Sequence, residues 1–266
     1  MLEGLPPRGQ LACPRVSWPE LRAAVRAQQS QLSAPRAGCT RLCPVCRGPA
    51  GSGRARCFQC DLHWQCAAGS LADVVVPVAF AIKGTAHANR LWRYKSPRVT
   101  AAEATGHAAT IRAMLLVFLR DHGPCLWRSA GSAHPTHVTV VPTARRRPGR
   151  HPLRSLLEGY LAIPWAGLVP MPDGERLRDL DPSRFQAARL PDARVLLVDD
   201  TWTTGSSAQS AAMALRAAGA SSVVTVVLGR HVSAPMAGRG GLWPAAMPFR
   251  MDSCAVHQDH PVASRP

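Results

Sequence analysis

Four short apolar runs stand out along the chain: "DVVVPVAFAIKG" (73–84), "HVTVVP" (137–142), "RVLLVD" (194–199) and "SSVVTVVLG" (221–229). They are Val-rich, nearly unbroken by polar residues and too short for buried helices, so they predict strands covered on both faces. Pro77 lacks an N–H to donate, which places 73–84 at a sheet edge or bend, as one long strand or a pair. Helical spacing marks "WPELRAAVRAQQ" (18–29), 101–123 with a Gly-Pro stop, "HPLRSLLEGYL" (151–161) and 206–220 with Gly219 as its stop. Residues 163–170 read as a further strand, 171–192 as a polar loop, and 232–266 as a flexible tail rich in Ala, Pro, Gly and His. There is no internal repeat. From residue 137 onward strands alternate with helices, so the class is α/β with a parallel sheet.

One strand ends unusually. In "VLLVDDTWTTGSS" (195–207) the apolar run gives way to two adjacent carboxylates, Asp199 and Asp200. Thr203, Thr204, Gly205, Ser206 and Ser207 then open an Ala-rich helix. Ligands of open parallel sheets sit beyond the carboxyl ends of the strands. A hydroxyl-rich turn at a helix N-terminus suits a phosphate, because free amides and the helix dipole both favour negative charge there. Carboxylates beside a phosphate cradle would repel the ligand unless they faced neutral sugar hydroxyls or a metal such as Mg²⁺. A ribose 5-phosphate group meets both demands. The plainer alternative is a helix cap beside a solvated acid.

Composition narrows the setting. A chain of 266 residues has room for one α/β domain with an appendage. The start "MLEGLPPRGQ" lacks the basic-then-apolar pattern of a signal peptide, and the most apolar stretch is too short to span a bilayer; the expected compartment is the cytoplasm, with no membrane span. The formal charge of +16 comes from arginine, since only Lys83 and Lys95 among the 32 basic residues are lysine. Enrichment in Arg, Ala, Gly and Pro fits either codon bias or a polyanion-binding face, so single-stranded DNA stands as a candidate partner. In "CPVCRGPAGSGRARCFQC" two Cys-x-x-Cys pairs, Cys43/Cys46 and Cys57/Cys60, have the spacing of a closed structural Zn²⁺ site. Cys39, His63 and Cys66 flank it as substitute ligands. Cys13, Cys125 and Cys254 read as ordinary cysteines, and His257 and His260 as part of the tail.

The acid pair with its hydroxyl loop resembles the phosphoribosyl-diphosphate (PRPP) binding motif of type I phosphoribosyltransferases. With "CPVC…CFQC", "AIKGTAHANRLWRYK" (81–95) and "VTVVPTARRRPGRHPL" (138–153), the chain resembles the ComF branch of that family over roughly 40–230. The resemblance implies a type I phosphoribosyltransferase-like parallel sheet flanked by helices, with a small four-cysteine, zinc-ribbon-like element before it. It divides the chain into an N-terminal extension (1–38), the zinc element (39–70), the phosphoribosyltransferase domain (71–231) and the tail (232–266). It implies that Asp199 and Asp200 hold the ribose hydroxyls of PRPP, with Mg²⁺, and that 203–207 hold the 5-phosphate. Pro142, Thr143, Ala144 and Arg145 would form the pyrophosphate loop. The arginines at 145–147 and 150 support that role, because guanidinium forks pair well with pyrophosphate oxygens. The implied reaction is displacement of pyrophosphate from ribose C1 by a nitrogen acceptor. The same branch is associated with DNA uptake, which favours a second function: binding PRPP and single-stranded DNA with little catalysis. A homodimer is compatible with either. A PRPP-sensing regulator ranks last, because no helix-turn-helix pattern is present. Two departures from the family pattern matter. Thr201 and Trp202 stand where small aliphatic residues are usual, so Trp202 either narrows the acceptor pocket or packs beneath the loop. The mobile hood over the site carries Arg176, Arg178, Arg184 and Phe185 instead of the usual Arg/Gln/Asn pattern.

Overall fold

The computed structural model describes residues 17–51, 53–143, 150–171, 179–233 and 246–256. Its centre is a four-stranded, all-parallel sheet of β2 (Val74–Ile82), β3 (His137–Val140), β6 (Arg194–Trp202) and β7 (Ser222–Val232), in the order β2-β7-β6-β3. The apolar runs form these strands because both sheet faces are covered. On β6, Leu196 and Val198 join one core while Val195 and Leu197 join the other, each at most 1% exposed. β2 is an edge strand of this sheet, so the missing N–H of Pro77, opposite Val227, costs little.

One core layer is built from α1 (Trp18–Arg26), α3 (Ala86–Arg93), α4 (Ala101–Ser129) and α5 (Pro152–Leu157), which contribute Val25; Leu91; Ile111 with Ala113–Leu119; and Leu153, Leu156 and Leu157 respectively. The opposite layer is α6 (Ser206–Ala217), which buries Ala208, Ala211, Ala212 and Leu215 together with the cysteine-rich element. α4 begins with a reciprocal cap in which Thr100 Oγ1 accepts from the Glu103 N–H and the Glu103 carboxylate accepts from the Thr100 N–H.

Four expectations are corrected. Helix α4 does not stop at Gly123-Pro124 but runs on to Ser129. A proline inside a helix costs about 3 kcal/mol, yet burying Cys125, Leu126 and Trp127 just beyond it returns roughly 1.5–3 kcal/mol for each large apolar side chain. The stretch 171–192 is not all loop, since β5 (Phe185–Ala187) pairs antiparallel with β4 (Leu168–Pro170), and β4 is shorter than the strand expected over 163–170. The tail is not wholly flexible. β8 (Ala246–Pro248) pairs antiparallel with β1 (Ser33–Pro35), and Phe249, Cys254 and Ala255 beyond it are buried in the core with Val25 and Leu32. Apolar burial at those three positions outweighs a composition that is otherwise unfavourable to order.

Candidate functional site

Asp199 and Asp200 lie near the end of β6, on the carboxyl edge of the sheet. Asp200, 7% exposed, turns toward the end of α3, where its carboxylate accepts from the Tyr94 hydroxyl at 2.5 Å and forms an ion pair with Lys95. Asp199 is partly buried, and its carboxylate accepts from the Asp200 N–H at 2.8 Å. Burial, and next the Asp200 charge, push the Asp199 carboxyl up to about 7, against the pull of Lys95. One acid is thus neutralised by a built-in cation, while the other holds a proton near neutrality.

The hydroxyl turn follows at once. Gly205 is the N-cap of α6 at φ +86°, in the left-handed region, and a Cβ there would lie 2.0 Å from the Trp202 ring. Only glycine meets both conditions. Trp202 is 1% exposed, so of its two alternatives packing beneath the loop is the one realised. The Thr204 and Ser206 hydroxyls lie 3.1 Å apart at the helix start.

These elements meet in one open cleft of about 360 Å³. Asp199, Asp200, Thr203, Thr204, Ser206 and Ser207 line it, as does Thr143 beyond β3. Gly205, the N-cap, shapes the turn from below. Ala144, Arg145, Arg146 and Arg147 fall outside the described residues, as do Arg176 and Arg178. Arg150 is described, and its guanidinium pairs with Glu158 at 2.5 Å on the surface. Lys95 and His151 line the cleft although the sequence assigns them no role there, and Arg184, expected in the hood over the site, lines it as well. Arg184 donates to Ser207 Oγ at 3.3 Å and places a guanidinium beside the hydroxyl turn. The basic segment ending in Lys95, with its family likeness, was the only available signal for the Lys95–Asp200 contact. The cleft therefore joins two carboxylates to a lysine, an arginine, hydroxyls and a helix N-terminus. That inventory suits a ligand carrying both hydroxyls and anionic esters.

The four cysteines also come together. All four Sγ atoms lie within 4.8 Å of one another, and those of Cys46 and Cys57 are 3.7 Å apart. Four thiolates about 2.3 Å from a tetrahedral centre lie about 3.8 Å from each other, so the cluster is placed to hold a metal such as zinc. The first pair sits in a tight turn closed by the Cys43 N–H on the Gly48 carbonyl at 2.7 Å, with Arg47 at φ +57°. The second pair straddles the start of α2 (Phe58–Ala67), so the element is part turn, part helix. Cys39 and Cys66 do not join the cluster among the described residues. Neither does His63, whose ring nitrogen instead lies 3.0 Å from the Gln59 amide and 3.4 Å from Ser206 Oγ in the hydroxyl turn. Burial lowers the His63 pKa.

A second strut joins cluster and cleft. Arg230, on β7, donates to the carbonyls of Trp202 and Thr203 at 3.1 and 3.0 Å. The same guanidinium lies against Gly48, where a Cβ would come within 2.4 Å of it. The Cys43–Gly48 turn and the hydroxyl turn are thus held by one side chain.

Among the described residues no helix is long and apolar enough to cross a membrane. No protein-family model, curated protein or solved structure matches this chain.

Proposed function

We propose that this protein is a PRPP-dependent phosphoribosyltransferase of the type I fold, braced by a structural zinc in its four-cysteine element. The observation that carries the reading is the union, in one cleft, of the Asp199/Asp200 pair with the 203–207 turn at a helix N-terminus. In this reading the amides and hydroxyls of 203–207 bind the 5-phosphate, and Arg184 adds a cation beside Ser207. Asp199 and Asp200 accept from the ribose hydroxyls. Lys95 and Thr143 face the pyrophosphate. The carboxylate oxygens suit Mg²⁺, and the raised proton affinity of Asp199 is the mark of an acid pair short of positive charge. Bound there with PRPP, Mg²⁺ would supply charge to the departing pyrophosphate. The C1–O bond to pyrophosphate breaks, a C1–N bond to the acceptor forms, and the acceptor nitrogen gives up its proton. Positioning by the 5-phosphate contacts, Arg184 among them, and cationic stabilisation of the leaving group by Lys95 carry most of the acceleration.

Calorimetry with PRPP and Mg²⁺ tests the site, and pyrophosphate release with a panel of nitrogen nucleophiles tests the activity. Saturable binding that weakens about 10–100-fold in Asp200→Asn supports the reading, since hydrogen bonds to charged groups contribute roughly 1.5–3 kcal/mol each. No heat from the folded, metal-loaded protein overturns it. Binding without turnover favours the second reading, a PRPP- and single-stranded-DNA-binding protein. That reading has its own support: Arg56 stacks 4.2 Å above the Trp64 ring, and Phe58, Trp64 and Trp92 are exposed on a chain of charge +16. Its measure is a steep fall of oligonucleotide affinity with salt.

A further inference from the structure

Two cysteines that look ordinary in the sequence meet in the fold. His122 and Cys125 stand three residues apart on α4 and so share one helix face. The segment after β8 carries Cys254 to the same place. All three side chains are buried, at 2%, 2% and 7% exposure, and their donor atoms lie within 4.8 Å of one another.

The histidine is held as a ligand would be. Its Nε2 donates to the Met251 carbonyl at 2.9 Å, which leaves Nδ1 as the nitrogen with the lone pair. The buried imidazole has the Cys254 thiol as its side-chain partner, and both sulfurs lie within 4.8 Å of its donor nitrogen. A backbone carbonyl fixing the far nitrogen is the usual way a metal-binding imidazole is oriented. Two thiolates and an imidazole form a soft N/S donor set that suits zinc above the hard cations, and a dipositive ion with two thiolates is neutral overall. The charged groups facing the cluster agree. Arg47 lies near Cys254 as well as near Cys43 and Cys46, Arg128 lies near Cys125, and Asp121 and Asp252 lie near His122.

We propose that His122, Cys125 and Cys254 form a second zinc site that pins the C-terminal segment to α4, with water in the fourth position. The four-cysteine cluster is a different site built from other elements, and the inference does not depend on PRPP binding. It gives the β1–β8 pair, a mere three residues per strand, an anchor beyond its own hydrogen bonds.

Elemental analysis of protein purified in reductant tests it. The full chain should carry about two zinc ions, and Cys254→Ser and His122→Gln should each lower this to about one, while Cys39→Ser and Cys66→Ser leave it unchanged. Cobalt replacement gives a second readout. The wild type should take up about two equivalents with thiolate charge-transfer bands, and Cys254→Ser should lose only part of that intensity. If those variants fold poorly, hydrogen exchange on the wild type decides. Residues 246–256 should lose protection when chelation removes the first equivalent of metal. One zinc per chain in the wild type, or the mass loss of a Cys125–Cys254 disulfide, overturns the proposal.

Discussion

Two groups with opposite titration, partly buried Asp199 and buried His87, bring pH into the stability of this protein. Asp199, raised to about 7, binds its proton more tightly in the folded chain, so it lowers stability as pH rises from about 4 to 7. His87, whose ring nitrogen lies 3.1 Å from the Leu228 carbonyl, is lowered to about 4 by burial. The unfolded chain therefore takes up that proton first, and stability falls as pH drops from about 6.5 to 4. The two effects oppose each other across the shared window and are separable only in variants. Relative to wild type, Asp199→Asn should gain melting temperature steadily between pH 4 and 7 and level off above. A flat difference would mean that Asp199 is ionised throughout. PRPP binding should strengthen over the same range in the wild type alone, because accepting from sugar hydroxyls or Mg²⁺ requires the carboxylate. Gly205→Ala tests the turn itself. A Cβ against the Trp202 ring at positive φ should cost roughly 2–4 kcal/mol in urea denaturation, combining overpacking with left-handed strain. Trp202→Phe should recover part of this, since the indole Nε1 has no hydrogen-bond partner to lose.

At the level of elements, helix α4 shows what local signals determine and what they do not. Its start is written in Thr100 and Glu103, and Thr100→Ala should destabilise the protein by about 1 kcal/mol, measured by chemical denaturation. Its end is not local, for Pro124 signals a stop that packing of Leu126 and Trp127 overrides. The same division runs through the fold. Strands β2, β3, β6 and β7 were legible because burial on both faces leaves a continuous apolar run. The hydroxyl turn and the paired cysteines were legible because their chemistry depends on close spacing. The β1–β8 pair and β5 were not, since three-residue strands carry too little periodicity and the partner of β1 lies at the other end of the chain. Lys95 against Asp200 escaped because the two lie 105 residues apart, and the segment ending in Lys95 carries no local pattern that names its partner. His122 with Cys254 is a third case, a helix residue whose meaning depends on where the C-terminal segment returns.

Across the whole molecule, the cysteine element is wired into the cleft instead of hanging beside it. Its four sulfurs share a core with Ala208, Ala211 and Leu215 of α6, the helix whose N-terminus forms the hydroxyl turn. His63 reaches Ser206 from α2, and Arg230 clamps the Gly48 turn to the carbonyls of Trp202 and Thr203. A tetrahedral four-thiolate zinc centre carries two net negative charges, which Arg47 and Arg230 offset from nearby. Losing the metal would leave four buried thiols, at most 9% exposed, and the two arginines without their counter-charge, directly behind the turn. None of the four cysteines lines the cleft, so an independent module would lose its zinc with no effect on ligand binding. Coupling through His63 and Arg230 predicts otherwise. Dialysis against a strong chelator should lower PRPP affinity at least about 10-fold in step with the metal lost from the cluster, and restoring zinc should return it. Arg230→Gln should weaken PRPP binding with zinc still bound, whereas His122→Gln, at the other cluster, should leave the affinity intact. Unchanged affinity in the metal-free protein would show that the turn stands without its brace.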